Sequence, residues 1–317
     1  MTKIGRGKVK PSPEVLDNDS GAPAPFGPVA GDKSQGQGGR RFYCDVHRKK
    51  DDSGYRITFS TNGETFKYTD SPMDIPAQAG DEVFVDTIPI IHTNAFIELL
   101  RKGVEVYYLR RLSLIEKMRQ RLGIPKSAKN DVKILMNIEE KWFKRGDEDF
   151  LAMRQLISSF RRLERDKQRL ENQSKDVPDV TKDSFRRLID HVEEEKLIIA
   201  KPVTEEAERR FPFFKTIAEE LGITGENHLL AREALAELLT YVDFNLSFTR
   251  IRRYLGLYPR HGERYNHDAR KALERLTRGL ITGAITAKHL VDIAKTIWLT
   301  YRRETQRPAG IPAQQQG

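Results

Sequence analysis

From residue 41 onward, apolar and polar positions alternate over short runs. "RFYCDV", "YRITFS" and "TFKYTD" are rich in β-branched and aromatic residues, and a period of two marks half-buried strands. Asp51-Asp52-Ser53-Gly54 and Asn62-Gly63 punctuate them, and Asn-Gly is a strong hairpin signal. "DEVFVDTIPI" supplies a fourth strand, "NAFIELLRKG" a helix with a glycine stop, and "VEVYYL" a fifth strand. Three hairpin-connected strands followed by strand, helix and strand predict an α/β domain over 41–145 with a mixed sheet.

Beyond Arg111 the pattern is helical. In "DEDFLAMRQLISSFRRLERDKQRLENQ", Met153, Leu156, Phe160, Leu163 and Leu170 recur at 3- and 4-residue steps, with Lys167 in one seam position. This predicts a coiled-coil helix over 146–176. It either pairs with a second copy through residues 150–170, making a homo-oligomer, or packs on its own domain. "KDVPDVTKD" breaks it, with Asp179 or Thr181 as the next cap. Residues 177–305 read as several amphipathic helices, an all-α carboxy-terminal domain with breaks at Pro202, Pro212, Gly222, Gly225, Gly256 and Pro259. Residues 1–40, rich in Pro, Gly, Ser and charge, and 306–317 read as disordered tails.

Charge adds a partner class. The 317 residues carry 55 Lys and Arg against 46 Asp and Glu, a formal net charge of +9, and a basic surplus favours a polyanion such as nucleic acid. A single cysteine, Cys44, excludes an intrachain disulfide framework and a cysteine-based zinc site. No apolar run approaches the roughly 18 residues of a membrane helix, so no membrane role and a cytoplasmic protein are expected. No phosphate-binding glycine loop or nucleophile elbow is present, which removes nucleotide hydrolysis and serine-hydrolase chemistry.

Two acids stand at strand ends. The first strand runs apolar into Asp45, then His47 and a basic run; the fourth runs into Asp86. Taken alone, "RFYCDVHRKK" reads as a strand ending in a solvated charged turn, with His47 a turn residue. If the two strands are neighbours, however, Asp45 and Asp86 face each other, and paired carboxylates repel unless a divalent cation lies between them. Two Mg²⁺ ions about 3.5–4 Å apart are the usual device for phosphodiester attack. "SAKNDVKILMNIEE" adds Asp131 on a following helix. Acids in this order of strands and helix are laid out as in an RNase H-like nuclease core.

These residues resemble the DEDD-type insertion-sequence transposases of the "IS-one-ten" group, whose amino-terminal domain is RuvC-like. Tyr43-Cys44-Asp45-Val46-His47-Arg48 is similar to their opening motif. Asp86-Thr87 followed by Leu99-Leu100-Arg101-Lys102-Gly103-Val104 is similar to their second, with Asp for Glu. Lys129-Asn130-Asp131 keeps the start of their third, while Ile134 stands where a fourth acid belongs. The order then continues with a coiled-coil stretch and Arg253-Tyr254-Leu255-Gly256-Leu257-Tyr258-Pro259-Arg260, which resembles their Gly-Leu-x-Pro segment. The likeness covers about 41–282. The family's serine nucleophile has no counterpart in "PRHGERYNHDARKAL".

The resemblance implies a multimeric transposase or recombinase that cuts and transfers DNA strands with Mg²⁺ or Mn²⁺ held by Asp45, Asp86 and Asp131, with or without a guide RNA. Arg250, Arg252, Arg253, Arg260 and Arg264 would grip the nucleic acid. The alternative is a descendant that keeps the fold and the grip but cannot cut. Ser247 reads as a helix cap rather than a nucleophile, Tyr254, Tyr258 and Tyr265 as packing residues. Glu139 lies too far along the helix from Asp131, about 12 Å, to share one metal site.

Overall fold

The alternation of the first strand sorts its side chains onto the two faces of a sheet. Phe42, Cys44 and Val46 of β1 (Arg41–Arg48) enter one apolar core, and Tyr43, Asp45 and His47 turn to the other face. In the computed structural model, residues 39–49, 51, 53–258 and 265–306 are described. Most of the two expected tails, Pro259, Arg260 and Arg264 lie outside those residues.

β2 (Tyr55–Ser60) and β3 (Lys67–Thr69) follow as antiparallel neighbours. β4 (Glu82–Val85) then crosses to the other side of β1 and pairs with it in parallel, and β5 (Glu105–Leu109) pairs in parallel with β4. β6 (Phe143–Arg145) adds antiparallel to β5, giving the order β3-β2-β1-β4-β5-β6 in one six-stranded mixed sheet. β6 lies in a stretch that the sequence pattern marks as helical: three residues are too few to display a period, and pairing with β5 decides their state.

Helices cover both faces. α1 (Thr93–Arg101) lays Phe96, Ile97 and Leu99 against Cys44, Val83 and Val85. On the opposite face, α2 (Ser113–Leu122) and α3 (Ala128–Met136) bring Ile115, Ile134 and Leu135 against Phe84, which stacks between Tyr43 and Tyr107. Gly123, at φ 62°, closes α2 in the left-handed conformation that a side chain would resist and so permits the turn into α3.

α4 (Glu148–Gln173) leaves the sheet as a long helix capped by Asp147, whose carboxylate accepts from the Phe150 amide at 3.1 Å. Its first turn serves the sheet, since Leu151 belongs to the α1-side core. Met153 and Ile157 belong to the core of the helical region. α5 (Asp179–Arg210) returns alongside it, and the ion pairs Lys167–Glu193 and Lys196–Glu164 run in reverse order, as an antiparallel hairpin requires. The charged seam position Lys167 thus has its partner inside the chain. Met153 and Phe160 are fully buried and Leu156, Leu163 and Leu170 partly so. The upper part of the seam expected to join two copies through 150–170 is therefore occupied by the protein's own core.

α5 begins after Pro178, to whose carbonyl the Thr181 hydroxyl donates at 2.8 Å, and it runs straight through Pro202. The expected break is absent because Pro202 and Ile198, four residues apart, both face solvent. The Ile198 carbonyl that loses its amide partner can be hydrated there. α6 (Phe214–Glu220), α7 (Leu229–Tyr241), α8 (Phe248–Tyr254), α9 (His267–Leu280) and α10 (Ala287–Gln306) complete an all-α region around Phe214, Leu235, Leu238, Leu273, Leu276 and Ile297. Inside it, Glu233 and Glu237 of α7 flank Arg275 of α9, whose guanidinium nitrogens lie 2.5 Å from each. Arg161 of α4 also binds Glu237, its Nε at 2.7 Å. Among the described residues no helix is long and apolar enough to cross a membrane.

Candidate metal and nucleic-acid site

The parallel register that pairs Cys44 with Val85 puts the next residues, Asp45 and Asp86, side by side where β4 ends; Asp45 itself lies within β1, which runs on to Arg48, and not at a strand end as the sequence pattern suggested. The Asp86 amide donates to the Cys44 carbonyl at 3.2 Å, and the Val46 amide donates to Asp86 Oδ1 at 2.9 Å, so the Asp86 side chain continues the ladder. Cys44, Val46 and Val85 face the α1 side. Strand alternation therefore sends Asp45 and Asp86 toward α2 and α3. Asp131 lies in the first turn of α3, after the Ser127 cap that accepts from the Asn130 amide at 3.2 Å. All three acids are nearly enclosed, at 6, 8 and 6 % exposure. The strand-neighbour condition for the sequence reading is met.

The three carboxylates are not equivalent. His47 lies two residues after Asp45 on the same face, and its Nδ1 is 3.0 Å from Asp45 Oδ2. It is a strand residue engaged with the acid, not the turn residue expected. Asp131 faces Arg119 of α2, with Nε 3.1 Å from Oδ1, although the two atoms are not aligned as a hydrogen bond. Among the described residues Asp86 has backbone amides alone, those of Val46 and Thr87.

Their electrostatics follow. Burial, then the neighbouring charge of Asp45, pushes the Asp86 carboxyl up to about 8, against the pull of those amides. Burial and then Asp131 raise Asp45, opposed by His47 and Lys126. Burial raises Asp131 as well, opposed chiefly by Arg119 and Lys126. A buried carboxylate beside another, with no cation of its own, has the donor chemistry of a Mg²⁺ or Mn²⁺ ligand. Asp45 and Asp86 fit such an ion. Asp131 is held by Arg119, and among the described residues no three Asp, Glu, His or Cys side chains converge into a ready cage.

Neither Glu139 nor Glu140 supplies a fourth acid: Glu139 pairs with Lys141 and Glu140 with Arg41, at the opposite end of β1 from Asp45. Ile134, where the fourth acid would stand, is fully buried in the α3-side core.

The arginines of α8 stand away from the acids. Tyr254, at the end of α8, adds to the upward shift that burial imposes on the Tyr108 phenol, and Tyr108 packs on the α1 side of the sheet, the face opposite Asp45. Arg250 and Arg253 are exposed, while Arg252 is half-buried. Both Arg252 and Arg253 lie over the Tyr258 ring, at 5.6 and 5.3 Å, and Arg252 Nη2 approaches the Leu257 carbonyl at 3.5 Å. Two of the candidate nucleophiles are engaged in structure: the Tyr254 hydroxyl accepts from Asn266 at 2.5 Å, and Tyr265 packs on His267 with ring centroids 4.3 Å apart. Ser247 occupies the N-cap position of α8, as expected, but its exposed side chain makes no capping hydrogen bond there.

Sequence reasoning missed Arg119 and Lys126, the cations beside Asp131. Arg119 sits in "EKMRQRL" among several equivalent basic residues, and only the packing of α2 on α3 selects it. His47 had a signal, its two-residue offset from Asp45. The chain matches no protein-family model, and a search of curated proteins finds none similar to it.

Proposed function

We propose that this chain is a nucleic-acid-binding protein of the DEDD insertion-sequence transposase type, acting inside the cell on DNA phosphodiesters. Its sheet would be an RNase H-like core carrying a divalent-cation site. The observation that carries this reading is the pair Asp45 and Asp86, buried together on neighbouring parallel strands with Asp131 above them on the same face. The strand order supports it: three antiparallel strands joined in parallel to a fourth and fifth is the RNase H-like arrangement. The net charge of +9 supports a polyanionic substrate.

A bound Mg²⁺ or Mn²⁺ would supply the positive charge that stabilises the attacking and leaving oxygens of a phosphodiester. The chain's own groups do the rest. Asp45 and Asp86 would hold the ion, His47 orients the Asp45 carboxylate through its 3.0 Å contact, and Lys126 places a cation beside Asp45 and Asp131. Arg119 lies 3.1 Å from Asp131 and opposes the upward shift that burial imposes on it. Arg250 and Arg253, exposed on α8, would hold nucleic acid at a second surface. A homo-oligomer and a guide RNA belong to this proposal.

A specific observation favours the second reading, a binding protein that does not cut. The fourth acid is replaced by a fully buried Ile134, and no serine follows the Gly256-Leu257 segment in the sequence. The test is a thermal melt of the full chain with and without millimolar Mg²⁺ or Mn²⁺, alongside cleavage of a supercoiled plasmid. The ion should raise Tm, and Asp45→Asn should abolish the rise, since a ligand that binds only the native state stabilises it by mass action. A melt indifferent to both ions would remove the metal site. A metal-dependent Tm without cleavage would select the binding protein.

A further inference from the structure

Register places one row of side chains across four strands. Asp86 lies beside Asp45, Asp45 is opposite Thr58, and Thr58 is opposite Tyr68. Ile57 and Phe59 enter the α1-side core, so Thr58 and its partner Tyr68 share the face that carries Asp45. Tyr68 sits on the edge strand β3, two strand spacings or about 10 Å from Asp45, and it is 53 % exposed. The Thr58 hydroxyl, halfway along the row, is buried without a hydrogen-bond partner.

Cations line the same edge. Lys129 and Lys133, four residues apart, share one stripe along α3, and Lys126 precedes the Ser127 cap of that helix. Lys126 is close enough to Asp45 and Asp131 to oppose their upward shifts. Lys129 Nζ and Lys133 Nζ stand over the half-exposed ring of Phe66, 5.7 and 5.9 Å from its centroid. Among the described residues neither of those two ammonium groups has an ion-pair partner. Aromatic rings interleaved with unpaired cations are the surface that single-stranded nucleic acid selects: the bases stack and the phosphates meet the ammonium groups.

We infer that Phe66, Tyr68, Lys129 and Lys133 form a track that holds a single DNA strand and leads it along the Thr58 row to Asp45 and Asp86. The inference deepens the proposed nuclease-type site and rests on it for the direction of the track. The occupant is single-stranded because flat rings on a sheet edge bind unstacked bases, which a duplex does not offer. It also assigns a role to the edge of β3, whose unpaired backbone groups would otherwise be an aggregation liability.

The experiment is fluorescence anisotropy of a labelled single-stranded DNA 20-mer with the full chain at low salt, with a duplex of the same sequence as comparison. Phe66→Ala and Tyr68→Ala should each weaken single-strand binding about 5- to 150-fold, while Tyr68→Phe, which keeps the ring, should bind like the native protein. Lys129→Gln with Lys133→Gln should flatten the log affinity against log salt slope by up to about 1.4, or 0.7 per phosphate. Photocrosslinking of a 5-iododeoxyuridine strand to the native protein needs no variant and should label the peptide containing Phe66 and Tyr68. Unchanged affinity in both alanine variants, no binding at all, or crosslinks confined to other peptides would each overturn the track. If Mg²⁺ still raises Tm in that event, the metal site stands without the track. Crosslinks at Tyr68 in a protein whose melt ignores Mg²⁺ would leave the track standing and the metal site refuted.

Discussion

Two regions of this protein bury carboxylates, and they compensate them in opposite ways. In the helical region Glu233 and Glu237 are 0 and 1 % exposed, yet Arg275 bridges both and Arg161 joins Glu237 from α4. Burial still pushes Glu233 up, to about 7, against the pull of Arg275. At the end of β4, Asp86 is 8 % exposed and has no guanidinium or ammonium partner among the described residues. The first arrangement is complete within the chain, whereas the second is short of positive charge. Buried acids that bring their own counterions ask nothing of solution. Buried acids that do not are an inducement to a cation, and perturbed carboxylates of this kind concentrate at functional sites.

The contrast is broken most severely on the compensated side. Arg275→Met removes the shared counterion and leaves two enclosed glutamates, which should cost about 3–5 kcal/mol, read as a lower urea midpoint. A loss below about 1 kcal/mol would mean that the glutamates are protonated or hydrated and that the two regions are alike. Divalent cations should not rescue this variant.

On the uncompensated side the sign reverses. Asp86 has a folded pKa of about 8 against an ordinary 3.8, so the folded state binds its proton more tightly than the unfolded chain does. The associated stability is full below about pH 4 and is lost as pH rises toward 8. Asp86→Asn should therefore stabilise the metal-free protein at pH 8 by about 1–3 kcal/mol and leave it little changed at pH 4. Millimolar Mg²⁺ should recover the same stability in the native protein and do nothing for the variant. A native protein whose denaturation midpoint does not fall between pH 5 and 8 would contradict the charge deficit.

The smallest effect sharpens the comparison within the acid site. Arg119→Met deprives Asp131 of its one ion pair, making that acid resemble Asp86. The metal-free variant should lose about 1 kcal/mol, the discounted value of a mostly buried pair whose hydrogen-bond alignment is poor. Its Tm rise on adding Mn²⁺ should exceed that of the native protein, because Asp131 is then free to join the ion. A smaller rise would show that Arg119 supports the site instead of restraining it.

Much of the sheet is visible in the chain because β1, β2 and β5 are amphipathic or apolar over five residues or more, and Asp45 and Asp86 are conspicuous where apolar runs meet an acid. The parallel pairing of β4 with β5 follows from the rule that a strand–helix–strand unit is parallel, whereas the pairing of β1 with β4, reached by a crossover after β3, entered the sequence reading only as a condition. What escaped was decided by contacts distant in sequence. Arg119 reaches Asp131 only after α2 folds on α3. β6 exists only against β5. Glu233 and Glu237, in "LLAREALAELL", look like surface positions of an amphipathic helix until Arg275 arrives from α9. The heptad spacing of α4 was legible, but a period names a stripe and not its partner, and α5 and the helical core took most of that stripe. Pro202 misled because the cost of proline in a helix depends on whether the orphaned carbonyl faces water, which sequence does not state.

The shared helix α4 has a consequence for how this polypeptide can be divided. Leu151, in the first turn of α4, is a fully buried member of the sheet's core, while Met153 and Ile157, two and six residues further on, are buried in the other. A chain severed after residue 145 would leave a Leu-sized hole beside Phe96 and Val106. The same hole stays open during synthesis until α4 has emerged from the ribosome. The amino-terminal unit is therefore longer than its last strand, and because Met153 and Ile157 of the same helix are buried in the other core, no boundary within α4 or in the turn at 174–178 leaves both cores closed.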